Sequence, residues 1–389
     1  MNTPAKPHLD REGTHTGGPG SLAGAHGRDA FGGDLLSPLT LRGITLRNRL
    51  VMSPMCQYSA HEGMADDWHL VHYGSRAVGG AALVMVEATA VTRDGRISPG
   101  DLGLWSDAQL EPLARIARFI HGQGAVAGIQ LAHAGRKASC AAPWNGGAAL
   151  KTAAEGGWPV LAPSPIPFRD GDPLPLALDA AGIDDIVAAF EAAAHRALRA
   201  GFRILEIHAA HGYLLHEFLS PLSNQRQDQY GGSLENRMRL VLRVAQRLRA
   251  LMPQELPLFV RLSATDWVEG GWDVGQSVQL AARLKELGVD LIDVSSGGIV
   301  PTAHIPAAKG YQVPACRRIR AEAAIPTAAV GLITDTRYAN DIVIGGDADL
   351  VFLGRELLRE PYWMLKAPQA LGAEGHWPVQ YERSRSRPK

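Results

Sequence analysis

Between residues 49 and 354 the chain alternates short, almost unbroken apolar runs with longer stretches whose apolar positions recur every three to four residues. Eight runs have this character: RLVMSPM (49–55), AALVMVEATAV (81–91), AVAGIQLAH (125–133), ILEIHAA (204–210), PLFVRLSA (257–264), LIDVSS (291–296), IPTAAVG (325–331) and LVFLG (350–354). Runs of this length without polar alternation predict strands covered on both faces, and therefore a parallel sheet.

The connecting stretches read as amphipathic helices. Ile183, Ile186, Val187, Phe190, Ala194, Ala197 and Leu198 fall on one face of a helix, and Gly201 supplies its stop. Ser233 is a natural N-cap for the next helix, and the stretch from Val274 ends at Gly288. Eight strand–helix units predict a single-domain α/β fold, a closed (β/α)8 TIM barrel rather than an open doubly wound sheet. The longest interruption, residues 134–180 after the third strand, is rich in Pro, Gly and Ala and carries Trp144 and Trp158. A connection of that length is usually functional, and it leaves the face where barrel sites form, so a lid or capping hairpin is expected. Residues 1–33 lack the apolar core of a signal peptide and read as a disordered extension; the barrel is expected over 34–372 and a basic tail over 373–389.

Composition narrows the function. The 389 residues carry no formal net charge, with a pI near 7.3, so nothing favours nucleic acid or an anionic membrane. No run of apolar residues is long enough to span a bilayer. The three cysteines, Cys56, Cys140 and Cys316, are scattered. They argue against a disulfide framework, for a reducing, cytoplasmic setting, and against a clustered cysteine site for zinc or iron–sulfur.

Barrel chemistry is built at the C-terminal ends of strands. The first run offers Ser53, Cys56 and Tyr58, the second Glu87 and Thr89, and the third Gln130, His133, Arg136 and Lys137. The fourth ends in HAAHGY, with His208, His211 and Tyr213. Zinc would require a third ligand and a helical frame, and no metal site is expected. A core histidine pair is a second possibility. Two donors converging on a substrate oxygen, with Tyr213 as proton donor, is the reading favoured. Arg261 lies inside the fifth run, where a bare charge is costly, so it either pairs with Glu206 or Glu87 or faces an anionic ligand. Gly331 and the LGR of Leu353, Gly354 and Arg355 follow the seventh and eighth runs, where many barrels bind phosphate, as FMN would require. No Rossmann fingerprint follows any strand.

LRNRLVMSPMCQYS, VEATAVTRDGRIS, GIQLAHAGRKAS, LEIHAAHGYLLHEFLSPLSNQRQDQYGGSLENR, VRLSATDW and FLGRELLREPYW together resemble the old yellow enzymes, FMN-dependent ene-reductases, and within them the bacterial NADPH dehydrogenase and xenobiotic reductase branch. The resemblance covers most of residues 34–383. It implies that Ser53, Pro54, Met55, Cys56 and Ala88 pack along FMN, that Gln130 and Arg261 bond its pyrimidine end, and that Gly331, Gly354 and Arg355 hold its phosphate. Lys137 is a less certain neighbour. It implies that Tyr58, Cys56, His208 and His211 face the substrate, that Tyr213 donates the proton, and that NADPH or NADH is the reductant. Enones, maleimides and nitroalkenes are the substrates implied. The segment PVQYERSR resembles a tail whose arginine, Arg383 here, enters a neighbouring subunit's site, which implies a homodimer or homotetramer. The loop KASCAAPWNGG looks like one form of the branch and the tail like another, and residues 304–314 align with little, so substrate preference is open. Dienoyl-CoA reductases and amine dehydrogenases share the barrel but need a cysteine cluster that is absent; a phosphate-binding aldolase or isomerase, or a non-enzymatic barrel, is the remaining alternative.

Overall fold

Near-continuous apolar runs need both faces covered, and the chain covers them by closing the sheet on itself. The computed structural model describes residues 32–385. Eight parallel strands form a closed barrel: β1 Leu50–Met52, β2 Leu83–Ala90, β3 Val126–Ala132, β4 Ile204–Ala209, β5 Leu258–Ser263, β6 Leu291–Ser295, β7 Thr327–Ala329 and β8 Leu350–Leu353. Each falls within one of the eight predicted runs. Eight helices cover the outside: α1 Asp67–Val78, α2 Leu110–Gly122, α3 Ala180–Arg199, α4 Leu234–Leu251, α5 Val274–Glu286, α6 Val313–Ala323, α7 Thr336–Ile344 and α8 Trp363–Ala370. Ser233 does cap α4, its side chain accepting from the Asn236 N–H. Most of residues 1–33, and residues 386–389 of the tail, lie outside the described residues.

Alternation along the strands sorts the barrel interior into layers. The lowest holds Val51, Leu83, Met85, Ile204, Phe259, Leu291, Leu350 and Phe352, all fully buried. A short antiparallel hairpin, Leu39–Leu41 against Ile44–Leu46, packs Leu39, Leu41, Ile44 and Leu46 onto this layer and closes the N-terminal end. Arg42 at its turn bonds Asp290 (2.6 Å) and the Gly288 carbonyl (3.0 Å), fixing the plug to the barrel. Sequence reasoning did not predict this hairpin. Above the apolar layer the interior turns polar: Gln130, Glu206, Arg261 and Asp293 form a middle layer, and His208, Ser263 and Ser295 follow towards the open mouth.

The long connection after β3 lies over that mouth, as the lid of the two forms expected rather than as a capping hairpin. Its longer pairing, Leu161–Ala162 with Leu176–Ala177, is parallel. Only one antiparallel bridge occurs, between Cys140 and Ala149, and it makes a small loop with Trp144 near its tip. Trp158 Nε1 donates to the Asp94 carbonyl at 2.8 Å, tying the lid to the loop after β2.

Candidate active site

The middle layer is a buried charge cluster. Gln130 Nε2 donates to Glu206 Oε1 at 2.8 Å. Arg261 Nε lies 3.0 Å from Asp293 Oδ2 on the neighbouring strand, so its partner is Asp293 and not Glu206 or Glu87. The contact is close but misaligned: Arg261 Nε, both Asp293 oxygens and Glu206 Oε2 are buried without a hydrogen-bond partner. Such orphaned polar atoms just under an open mouth are what a polar ring edge seated above would satisfy. Burial pushes the carboxyls of Glu206 to about 8 and Asp293 to about 6, with Arg261 pulling both down.

On β2 a bulge between Val86 and Ala88 shifts the register, leaving Ala88 buried and turning Glu87 towards the chain after β1. Glu87 accepts from the Gln57 N–H (2.8 Å) and the Tyr73 hydroxyl (2.7 Å), and desolvation raises it to about 8. It thereby supports the turn carrying Ser53, Pro54, Met55, Cys56 and Tyr58. The Ser53 N–H donates to the Leu353 carbonyl at 3.0 Å, joining this turn to the end of β8. Cys56 is half-buried, and burial with the nearby charges of Asp101 and Glu87 pushes its thiol up.

At the end of β4, His208 and His211 stand edge to face, ring centres 5.2 Å apart, and Tyr213 lies 5.1 Å from His208. Desolvation and the charge of Arg261 hold both imidazoles well below their ordinary pKa, so both are neutral. His208 Nδ1 accepts from the Ala210 N–H (3.3 Å), which places its proton on Nε2. His211 Nε2 is 2.6 Å from Ser295 Oγ, and its backbone sits at φ +61°, a left-handed conformation uncommon outside glycine. That turn packs against the turn after β6, where an added Cβ on Gly298 would lie 2.6 Å from the His211 backbone. Burial raises the Tyr213 hydroxyl well above 10, so it holds its proton.

Two cavities adjoin this cluster. One, of about 230 Å³, lies over the ends of β6, β7 and β8 and is lined by Gln312, Gly331, Leu332, Gly354, Arg355 and Arg359. Gly331 has φ +123°, and a Cβ there would meet Gln312 Nε2 at 2.9 Å; it is a cradle that only glycine leaves open. The other, of about 150 Å³, lies beneath the lid between Tyr58, Lys137, Phe168 and Tyr213. Trp144 meets Tyr58 edge-on at 5.8 Å. The structure therefore gathers Ser53, Met55, Cys56, Tyr58, Gln130, His208, His211, Tyr213 and Arg261 around one mouth, with Gly331, Gly354 and Arg355 beside it. Arg383 is not among them: it is exposed in the turn Val379–Ser384 and lines neither cavity. Sequence reasoning missed Asp293 and Gln312. Asp293 was signalled by its two-residue spacing from Leu291 and Ser295; Gln312 bridges Ser296 (2.6 Å) and the Val330 carbonyl (2.8 Å) from a stretch without a motif. Among the described residues no cluster of His, Cys, Asp and Glu could hold a metal, and no helix is long and apolar enough to cross a membrane.

Comparison with known proteins gives a consistent set of likenesses. Residues 34–374 match the family model described as NADH:flavin oxidoreductase / NADH oxidase. The chain is 50% identical over 351 residues to an NADPH dehydrogenase of Geobacillus thermodenitrificans, covering 90% of this chain and 98% of that protein. Among solved structures it is similar to the old yellow enzyme homologue from Zymomonas mobilis (27% identity, TM-score 0.74, covering 90% and 96% of the two chains). It is also similar to morphinone reductase in complex with tetrahydroNAD (27% identity, TM-score 0.71, covering 89% and 93%).

Proposed function

The chain belongs to the NADH:flavin oxidoreductase / NADH oxidase family, and from that premise we propose that this FMN-dependent oxidoreductase is an ene-reductase, reducing activated C=C bonds of small α,β-unsaturated carbonyl compounds. FMN, when bound, would supply the hydride-transfer chemistry between NADPH or NADH and the alkene. The orphaned polar atoms of the middle layer and the glycine cradle fit that group: Gln130 and Arg261 would hold its pyrimidine edge, Ser53, Pro54, Met55, Cys56 and Ala88 its flank, and Gly331, Gly354 and Arg355 its phosphate.

The observation that carries the reading is the pair of neutral imidazoles with a protonated phenol beside them at the barrel mouth. His208 and His211 donate N–H bonds to the substrate carbonyl oxygen. Negative charge grows on that oxygen as the β-carbon is reduced, so these bonds strengthen in the transition state. Tyr213 donates its proton to the α-carbon, and its raised pKa keeps that proton in place until a stronger base forms. Tyr58 and Cys56 border the substrate. Enones, maleimides and nitroalkenes are the substrate classes. We read residues 34–372 as one FMN-binding barrel acting in the cytoplasm. We read 373–389 as a tail by which Arg383 enters a neighbouring subunit of a homodimer or homotetramer.

Purified protein should be yellow and should oxidise NADPH with 2-cyclohexen-1-one as acceptor. Tyr213→Phe should slow enone reduction by roughly 10²–10⁴-fold, and His208→Ala/His211→Ala should abolish enone binding. Full alkene-reduction rates in Tyr213→Phe would remove the proton-donor role.

A further inference from the structure

Lys137 is a half-buried cation that the reaction just described leaves without a task. It ends the short turn Gly135–Lys137 after β3. Among the described residues its ammonium forms no ion pair; it donates instead to two backbone carbonyls, His211 at 2.7 Å and Gly298 at 3.0 Å. Those carbonyls belong to the loops after β4 and β6, and the two loops are in backbone contact at His211 and Gly298. Two carbonyl oxygens aimed at one point repel each other, and the left-handed backbone of His211 adds strain. A shared ammonium offsets both. The same nitrogen lies 4.6 Å from the ring of Phe168 in the lid and 5.1 Å from that of Tyr213.

The charged and titratable groups facing it are Glu217 on the short helix Leu214–Leu219, Arg136 in its own turn, Cys140 and Arg169 from the lid, and His208 and His211. Burial lowers Lys137 to about 8, with Glu217 opposing, so it remains an ammonium at neutral pH. Three loops thus converge on one cation, those after β3, β4 and β6, and the one after β4 carries the groups assigned to carbonyl binding and protonation.

We propose that Lys137 is a positioning residue: its ammonium pins the His211 turn to the Gly298 turn, sets His211 and Tyr213 at the spacing an enone requires, and seats Phe168 of the lid on the same point. The inference rests on the ene-reductase reading for its effect on rate, but not for its effect on the two turns.

The test uses the FMN-loaded enzyme with Lys137→Met and Lys137→Arg. Each protein is photoreduced and mixed in a stopped-flow instrument with 2-cyclohexen-1-one or with dioxygen, which needs no carbonyl clamp. Lys137→Met should slow reoxidation by the enone about 10–100-fold, the scale of a small misplacement of reacting groups, and leave reoxidation by dioxygen unchanged. Lys137→Arg, whose fork can donate to both carbonyls, should recover most of the loss. Hydrogen exchange should show the segments around 209–213 and 296–299 losing protection together in Lys137→Met. An unchanged enone rate with both segments still protected would overturn the proposal, as would equal slowing with enone and dioxygen. If the parent enzyme reacts with dioxygen but not with enones, the ene-reductase reading fails, and hydrogen exchange still decides the role of Lys137.

Discussion

Removing the charge of Arg261 tests the buried cluster directly. Asp293 and Glu206 are wholly buried, and Arg261 is the cation that opposes desolvation at both. Arg261→Met keeps an unbranched stem as far as the ε position and deletes the charge. At pH 7 Glu206, at about 8, is already protonated, whereas Asp293, at about 6, is ionised and paired. The variant can answer by protonating Asp293, which at one pH unit above its pKa costs about 1.4 kcal/mol. That sets the loss near neutrality. Below pH 6 Asp293 is protonated in both proteins and the loss should vanish. Near pH 9 protonation is no longer cheap, and the loss should approach the roughly 3–5 kcal/mol of a broken buried pair. The sign follows from linkage: the folded pKa of Asp293 exceeds the unfolded value of 3.8 and rises further in the variant, so stability is present at low pH and lost as pH climbs through the folded pKa. Urea unfolding of the FMN-free proteins at three pH values measures this. A loss independent of pH, or one that persists unchanged when Asp293→Asn is added, would refute the reasoning.

Other outcomes follow from the same geometry. Gly298→Ala should cost at least about 1–2 kcal/mol from its positive φ alone, and more from contact with His211; urea unfolding and enone affinity should both register it. Glu87 is raised from 4.5 to about 8, so its burial favours the folded state below the unfolded pKa and that benefit is lost as pH rises through 8. Glu87→Gln should therefore gain on the parent with increasing pH, by up to about 1.4 kcal/mol per unit, as read from Tm at pH 5 and 9. Truncation before Val379 should lower oligomer size by light scattering and raise the enone KM; unchanged size and KM would remove the tail's proposed role.

The barrel was legible because its strands are covered on both faces, which leaves an unbroken apolar signature in each. Elements without such a signature were not. Leu39–Leu41 and Ile44–Leu46 are three residues each, too short for any period to show. The parallel pairing in the lid joins residues fifteen apart through a Pro- and Gly-rich stretch, where turn chemistry says little about register. Around the mouth, strand-end residues such as His208 and Gln130 stood out as polar punctuation after apolar runs. Asp293 did not, because an acid inside LIDVSS looks like a strand ending early rather than a counter-charge in register with Arg261. Nor did the strain at His211, since its positive φ is imposed by the loop after β6, over eighty residues away in sequence.

The hairpin that plugs the N-terminal end has a kinetic consequence. With the floor sealed by leucines, the polar groups of the middle layer are approached from the C-terminal mouth, where both cavities lie. On the proposed ene-reductase reading, reductant and oxidant share that mouth and exclude one another there. Each should then inhibit the other competitively at high concentration, and steady-state rates should give parallel lines in double-reciprocal plots.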